Sequence, residues 1–490
     1  MPGPCHPAKP RKRGAIGKRS CKGSLWAECP QGPGGAPSYF PAPVILRKVD
    51  ILSNSGRWDE AEDIGRRMLE RARDLRLDAA AAECGFRLGE ILRFKGAYDG
   101  SLEFLSRSAD LFRSLADGGG MARSIGAMGG VHGERGDYRK AIDCFTRRKE
   151  WAEEAGDKLE QGISWGNLGV MYAEQKMFDS ALDCYGRQRA LAEECGDLMG
   201  VSMAVGNTGN IHLYRGEYGQ AVECFQAQRC LATRLGDKRS LCALACNLGL
   251  LYKRQARLEE ARTFFEEGIR LSREIGYSRA LSVSTGNLGT VHQLLGHWAL
   301  ARDFLGSHLN LSRELGDMQG MASALANLSR VHAVQDDFGR SLEAIGQAVA
   351  VARDSGLADL LPVLLNMQAE ILLDACGWQR AGPIVEEAAR LAVERKSGEQ
   401  QGISAMLAAA LRLRGGDLSA AGELERIASG DTCEQTRLGA CFWLYRCLGG
   451  ARHLDEARRL TECLYSKTGD VEFRVNLEKL ESGKLHACLP

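Results

Sequence analysis

From about residue 44 to residue 355, apolar and polar positions follow a pattern that returns every forty residues. In the copy covering 161–211, Ile163, Leu168, Val170 and Met171 recur among glycines at the spacing of a helix with one apolar stripe. A turn follows, carrying Gly96, Gly136, Gly216 or Gly296, with Lys176, Ala256 and Asp336 in the same slot elsewhere. Glycine there suits a left-handed helix end. Two residues on stands a large apolar anchor: Trp58, Tyr98, Tyr138, Phe178, Tyr218, Leu258, Trp298, Phe338, Trp378 or Leu418. Three beyond it the residue is small: Ala61, Ser101, Ala141, Ala181, Ala221, Ala261, Ala301, Ser341, Ala381 or Ala421. A second helix then runs to a corner, Ala116-Asp117, Gly156-Asp157, Gly196-Asp197, Gly236-Asp237, Gly276-Tyr277, Gly316-Asp317, and Ser355 with Gly356. Glycine turns the chain there and Asp begins the next copy.

The pattern predicts antiparallel helix pairs, and a fixed period between 20 and 50 residues predicts that they stack on their neighbours. The fold class is therefore all-α, an α-solenoid of about eleven pairs, with the first and the last two irregular. Leu454 and Ala457 mark a final shifted copy. Glycines recur inside the first helix of each pair, at Gly89, Gly129, Gly169, Gly209, Gly249 and Gly289. Each weakens an isolated helix by about 0.5–1 kcal/mol relative to alanine. Their recurrence predicts a neighbouring helix too close for a side chain.

In the copy around Trp165, the residues Trp165, Leu168, Gly169, Tyr172, Phe178, Ala181 and Tyr185 resemble the tetratricopeptide repeat. The resemblance covers Ser53 to about Ser355 strongly and continues weakly to Ala421. It implies a right-handed superhelix whose first helices line a concave groove. The copies depart from the family's repeat of about 34 residues, and Arg148, Gln188, Gln228 and His308 replace its late small alanine. With Gly166-Asn-Leu-Gly169, Gly206-Asn-Thr-Gly209 and Gly286-Asn-Leu-Gly289, these departures are similar to the longer-helix subclass. That subclass includes Leu-Gly-Asn-type G-protein-signalling scaffolds, kinesin light chain and bacterial peptide-sensing regulators.

The resemblance also places an asparagine ladder, Asn167, Asn207, Asn247, Asn287 and Asn327, on the inner face. A carboxamide both donates and accepts, so it can match the peptide groups of an extended ligand. The opposing reading is that each Asn bonds a neighbouring helix or loop. Gly166, Gly206, Gly286 and Ala326 beside the ladder are read as leaving room for a ligand. Asn210, Tyr214, Lys253, Arg254 and Arg330 vary among the copies one or two turns further on and complete the candidate peptide-binding groove. Lys253 and Arg254 themselves are expected to be solvated surface charges. The family's carboxylate clamp is not apparent.

Composition narrows the partner class. With 64 basic and 63 acidic residues the net charge is +1, which gives no field for nucleic acid or an anionic membrane. No apolar run reaches the length of a membrane span. The 17 cysteines show no disulfide framework; Cys144, Cys184 and Cys224 share one slot and read as small buried residues suited to a reducing cytoplasm. Residues 1–43 are Pro/Gly-rich with a basic cluster, Lys9 to Lys22, and no secretory h-region. They read as a disordered tail, against a localisation patch or a translation start placed too early. Residues 356–490 read as degenerate repeats and a cap, with Trp443, Leu444 and Tyr445 as cover and a second interaction surface as the alternative.

The titratable and nucleophilic residues form no catalytic pattern. His132, His212, His292 and His332 share a slot with Tyr172 and Tyr252, which marks aromatic packing rather than a metal site. Cys5, Cys21 and Cys29 lack zinc spacing. Gly17-Lys18 lacks the rest of a phosphate loop, and no catalytic set recurs. The expectation is a monomeric cytoplasmic scaffold or adaptor, with no catalytic residue, cofactor or metal, that binds a protein or extended peptide in its groove. The alternatives are a ligand- or peptide-sensing regulatory module and a segment of a larger signalling protein.

Overall fold

The computed structural model describes residues 42–54, 57–375 and 377–482. The expected tail lies outside them, except its last two positions, which open the first helix. The described residues form 23 helices and no strand. They fall into two compact units divided between Ala127 and Met128. The first unit holds α1 (Ala42–Asn54), α2 (Trp58–Asp74), α3 (Asp78–Phe94) and α4 (Tyr98–Ser114), and the division lies inside α5 (Gly118–Glu134).

The second unit continues with α6 (Tyr138–Glu154), α7 (Lys158–Glu174), α8 (Phe178–Cys195), α9 (Leu198–Arg215), α10 (Tyr218–Leu235) and α11 (Lys238–Arg254). Next come α12 (Leu258–Ile275), α13 (Ser278–Leu294), α14 (Trp298–Glu314), α15 (Met318–Val334), α16 (Phe338–Asp354) and α17 (Leu361–Asp374). It ends with α18 (Trp378–Glu394), α19 (Gly398–Arg414), α20 (Ser419–Ser429), α21 (Glu434–Leu448), α22 (Ala451–Thr468) and α23 (Glu472–Glu481). That makes eleven pairs and one further helix.

The repeating slots do what their chemistry predicts. The anchor residues open the second helices, and Ala61, Ser101, Ala141, Ala181, Ala221, Ala261, Ala301, Ser341 and Ala381 are all 0% exposed. The register slips by one in the last regular copy. There α20 starts at Ser419, Leu418 is 70% exposed, and Ala420 rather than Ala421 is the fully buried small residue. At the corners, Gly156, Gly196, Gly236, Gly276, Gly316 and Gly356 all have positive φ. Asp157, Asp197, Asp237 and Asp317 then accept a backbone N–H from the first turn of the following helix, which satisfies an otherwise orphaned donor.

The helical glycines mark close approach. A Cβ on Gly169 would lie 2.5 Å from Tyr185, and one on Gly249 2.5 Å from Phe265. A second contact between paired helices runs on size complementarity. A Cβ on Gly166 would lie 2.7 Å from Gln188, one on Gly206 would strike Gln228, and one on Gly286 would lie 2.7 Å from His308. The pair α11–α12 has Cys246 on the first helix and Gly268 on the second, where Ser284 of α13 takes the place of a Cβ. The pair α15–α16 uses Ala326 and Ala348. In α7–α8, α9–α10 and α13–α14 one large residue fills the space beside the glycine.

Within the second unit, α7, α9, α11, α13 and α15 touch one another in succession, while no comparable contact joins successive second helices. The first helices therefore form the inner layer. Trp443 and Leu444 of α21 pack in a core with Met406 and Leu407 of α19 and Leu424 of α20. The end is covered by α23, whose Phe473 and Leu477 lie against Leu438, Cys441, Leu460 and Leu464.

Candidate peptide-binding groove

The residues of α7 and α9 that face away from their partner helices build a pocket of about 340 Å³. Lys158, Ile163, Asn167, Met199, Met203 and Asn207 line it, with Gln188 and Ala192 from α8 behind them. Ile163 belongs to the predicted apolar stripe, yet it is exposed here, whereas Leu168 and Met171 of the same stripe are buried. Met203 is 50% exposed, and its lining neighbour Gln188 is 5% exposed with an Oε1 that has no hydrogen-bond partner.

All five ladder asparagines are half-buried. Asn287 donates to the Val283 carbonyl at 3.0 Å and accepts from Lys253 Nζ at 3.3 Å. Asn167, Asn207, Asn247 and Asn327 make no side-chain hydrogen bond to another described residue, and only the first two share the pocket. By contrast, Asn366, one residue off the ladder register, is buried and bonded to Gln400 and Ser404. Of the glycines beside the ladder, Gly166 lines the pocket, but none holds open a space of its own. At Gly166, Gly206 and Gly286 the place of a Cβ is taken by Gln188, Gln228 and His308 of the paired helix. One residue along a helix is a rotation of about 100°, which turns the Gly slot inward and the Asn slot out.

Two other expected residues come together further along. Tyr214, 61% exposed, stacks on Phe178 at 6.3 Å, and the Arg254 guanidinium lies 5.6 Å from its ring centroid. Arg215 is turned to Asp179 and to the Phe178 ring rather than joining Lys253 and Arg254. Lys253 is not a solvated surface charge. Burial, with Arg254 beside it, pulls its ammonium down to about 8. Asn210 is half-buried on α9. Arg330 is already held, donating to Glu472 at 2.8 Å.

The histidine slot packs as aromatic side chains do. His292 stacks on Phe304 at 5.3 Å, and Tyr252 stacks on Phe264 at the same distance one copy earlier. Burial lowers the pKa of His132, His292 and His332. Cys144 and Cys184 are buried, Cys224 is half-buried, and burial raises the pKa of all three thiols. Among the described residues no group of three His, Cys, Asp or Glu side chains is placed to hold a metal, and no helix is long and apolar enough to cross a membrane.

The pocket residues Ile163, Met199 and Met203 escape the sequence reading. Their signal is positional: Ile163, Met203 and Val283 occupy one slot, four residues before the ladder, where the helix face is otherwise open.

The tetratricopeptide-repeat family model matches residues 77–154, 120–194 and 201–274. Residues 77–194 and 201–274 carry tetratricopeptide repeats. Among solved structures, a Rap protein complexed with competence and sporulation factor is 14% identical, with a TM-score of 0.50 over 73% of this chain and 99% of its own. Aspartyl phosphate phosphatase F from Bacillus subtilis is 16% identical, with a TM-score of 0.47 over 73% of this chain and 95% of its own. The apo quorum sensor NprR from B. thuringiensis is 11% identical, with a TM-score of 0.48 over 71% and 98%. At 14% identity the likeness to the Rap protein is one of fold. Comparison with curated proteins gives no match. The tetratricopeptide assignment thus rests on the family model and on repeating slots whose packing follows the family's pattern.

Proposed function

We propose that the second unit is a non-enzymatic scaffold that binds a peptide segment of a protein partner along its inner layer. The observation that carries this reading is the pocket between α7 and α9, where Ile163, Met199 and Met203 are exposed beside the unpaired carboxamides of Asn167 and Asn207. Methionines adapt to varied apolar side chains, so the pocket takes one large apolar anchor. The two asparagines bond the ligand backbone on either side of it, each worth about 0.5–1.5 kcal/mol. Gln188 Oε1 offers an acceptor at the pocket wall. Twelve free thiols among the described residues suit a reducing compartment such as the cytoplasm.

The test is a selection of short random peptides against the full chain, followed by affinity measurement on variants. Met203→Glu places a charge in the pocket and weakens the selected peptides about tenfold or more. Asn167→Ala combined with Asn207→Ala weakens them by a similar factor while the thermal unfolding transition stays in place. Selected peptides that bind both variants with unchanged affinity overturn the proposal.

A further inference from the structure

The chain returns to its own inner layer after α22. Gly469 takes a positive φ of 71° beside Leu258. The next residue, Asp470, is 5% exposed and accepts the backbone N–H of Glu472. Val471 donates its N–H to the Leu294 carbonyl at 3.0 Å, a last-turn carbonyl of α13 without a helical partner of its own. On α15, Arg330 meets Glu472 at 2.8 Å and Asp470 at 3.8 Å. Lys479 then donates to the Val334 carbonyl at 2.6 Å and pairs with Asp336.

These contacts fall in particular slots. Leu294 and Val334 stand where earlier copies place Tyr214 and Arg254, and Arg330 stands where they place Asn210 and Leu250. Residues 469–480 thus cover, at the α13–α15 end, the same edge of the inner layer that is open at α9 and α11. On α13 and α15 the cover is held through Val471, Arg330 and Lys479, while Phe473 and Leu477 pack on α21 and α22. A ten-residue helix such as α23 is unstable alone. Glu472 of the strap faces not only Arg330 but also Glu370 on α17, and Asp470 lies beside Glu472 and Arg330. Asp374, which acts on Glu370 as well, is bonded to Arg446 at 2.6 Å. Four acids thus share two arginines, which weakens the attraction of the strap for its seat.

We propose that residues 469–480 form a releasable strap, an internal occupant of the inner layer at α13–α15, and that a partner peptide with two carboxylates spaced as in Asp470 and Glu472 replaces it on Arg330. The proposal rests on the peptide-binding reading above and extends it to a second seat with acidic preference. Opening frees Arg330 and the Leu294 and Val334 carbonyls for the partner's carboxylates and backbone.

The experiment uses the full chain and hydrogen exchange over residues 469–481. Arg330→Glu and Glu472→Arg each speed exchange of the strap about tenfold, and the double variant with the charges exchanged returns it towards the parent rate. Lys479→Ala speeds it as well, by removing the half-buried ammonium that bonds the Val334 carbonyl and Asp336. A synthetic peptide of residues 468–482 binds the Glu472→Arg chain more tightly than the parent, and its affinity falls with Arg330→Glu added. Equal strap exchange in all variants overturns the strap. Peptide binding indifferent to Arg330 overturns the acidic seat. Neither result touches the pocket at Met203, whose failure would show only with the selected peptides.

Discussion

Ala256 sits in the left-handed region at φ 57°, in a slot that Gly96, Gly136, Gly216 and Gly296 fill elsewhere. An L-residue there costs about 1–2 kcal/mol, against the roughly 0.5–1 kcal/mol by which glycine's freedom favours the unfolded chain. Ala256→Gly is therefore expected to stabilise the second unit by up to about 1 kcal/mol, seen as a higher urea midpoint. A lower midpoint would mean that the turn carries no strain. At this scale much was legible in the residues themselves. The Tyr172 and Tyr252 substitutions identified the histidine slot as aromatic, and the stacking of His292 on Phe304 follows from that chemistry. Lys253 was not legible, because its enclosure depends on neighbours that its own helix does not name.

Between elements, the pairing of a glycine with a large residue on the facing helix makes the two positions one unit of packing. Gly206→Ala pushes Gln228 aside and is expected to cost about 1–3 kcal/mol. Gln228→Ala placed on top of it should recover most of that loss, because Ala326 with Ala348 already shows that two small residues are tolerated. Thermal or chemical unfolding of both single variants and the double measures the coupling, and additive losses would contradict it. The sequence displays both halves of this rule, Gln188, Gln228 and His308 replacing alanine, and glycine twenty-two residues before each. Periodicity says that two slots recur, not which way each one faces. The period alone therefore leaves open that the glycines face a ligand, and it places the exposed Ile163 in one apolar stripe with the buried Leu168.

At the scale of the second unit, the return of residues 469–480 adds a proton dependence to the proposed strap. Burial and Glu472 push Asp470 up to about 6 against the pull of Arg330. Glu370, on the exposed side of α17, is also pushed up, to about 7, by desolvation, Asp374 and Glu472 against Arg330 and Arg446. Both carboxyls hold protons more firmly with the strap closed, so closure strengthens as pH falls through 7 and 6 towards ordinary carboxylate values. Hydrogen exchange of the strap, corrected for intrinsic rates, should slow between pH 8 and pH 5.5. Exchange that quickens over that interval contradicts the assignment. The pairs were legible from the forty-residue period; the strap was not, because a contact made once leaves no period. It also sets an order on synthesis. Neighbouring pairs can fold as they leave the ribosome, but Arg330 waits 142 residues for Glu472. Until then the seat on α13 and α15 stands open in the nascent chain, within reach of a chaperone or of a partner made nearby.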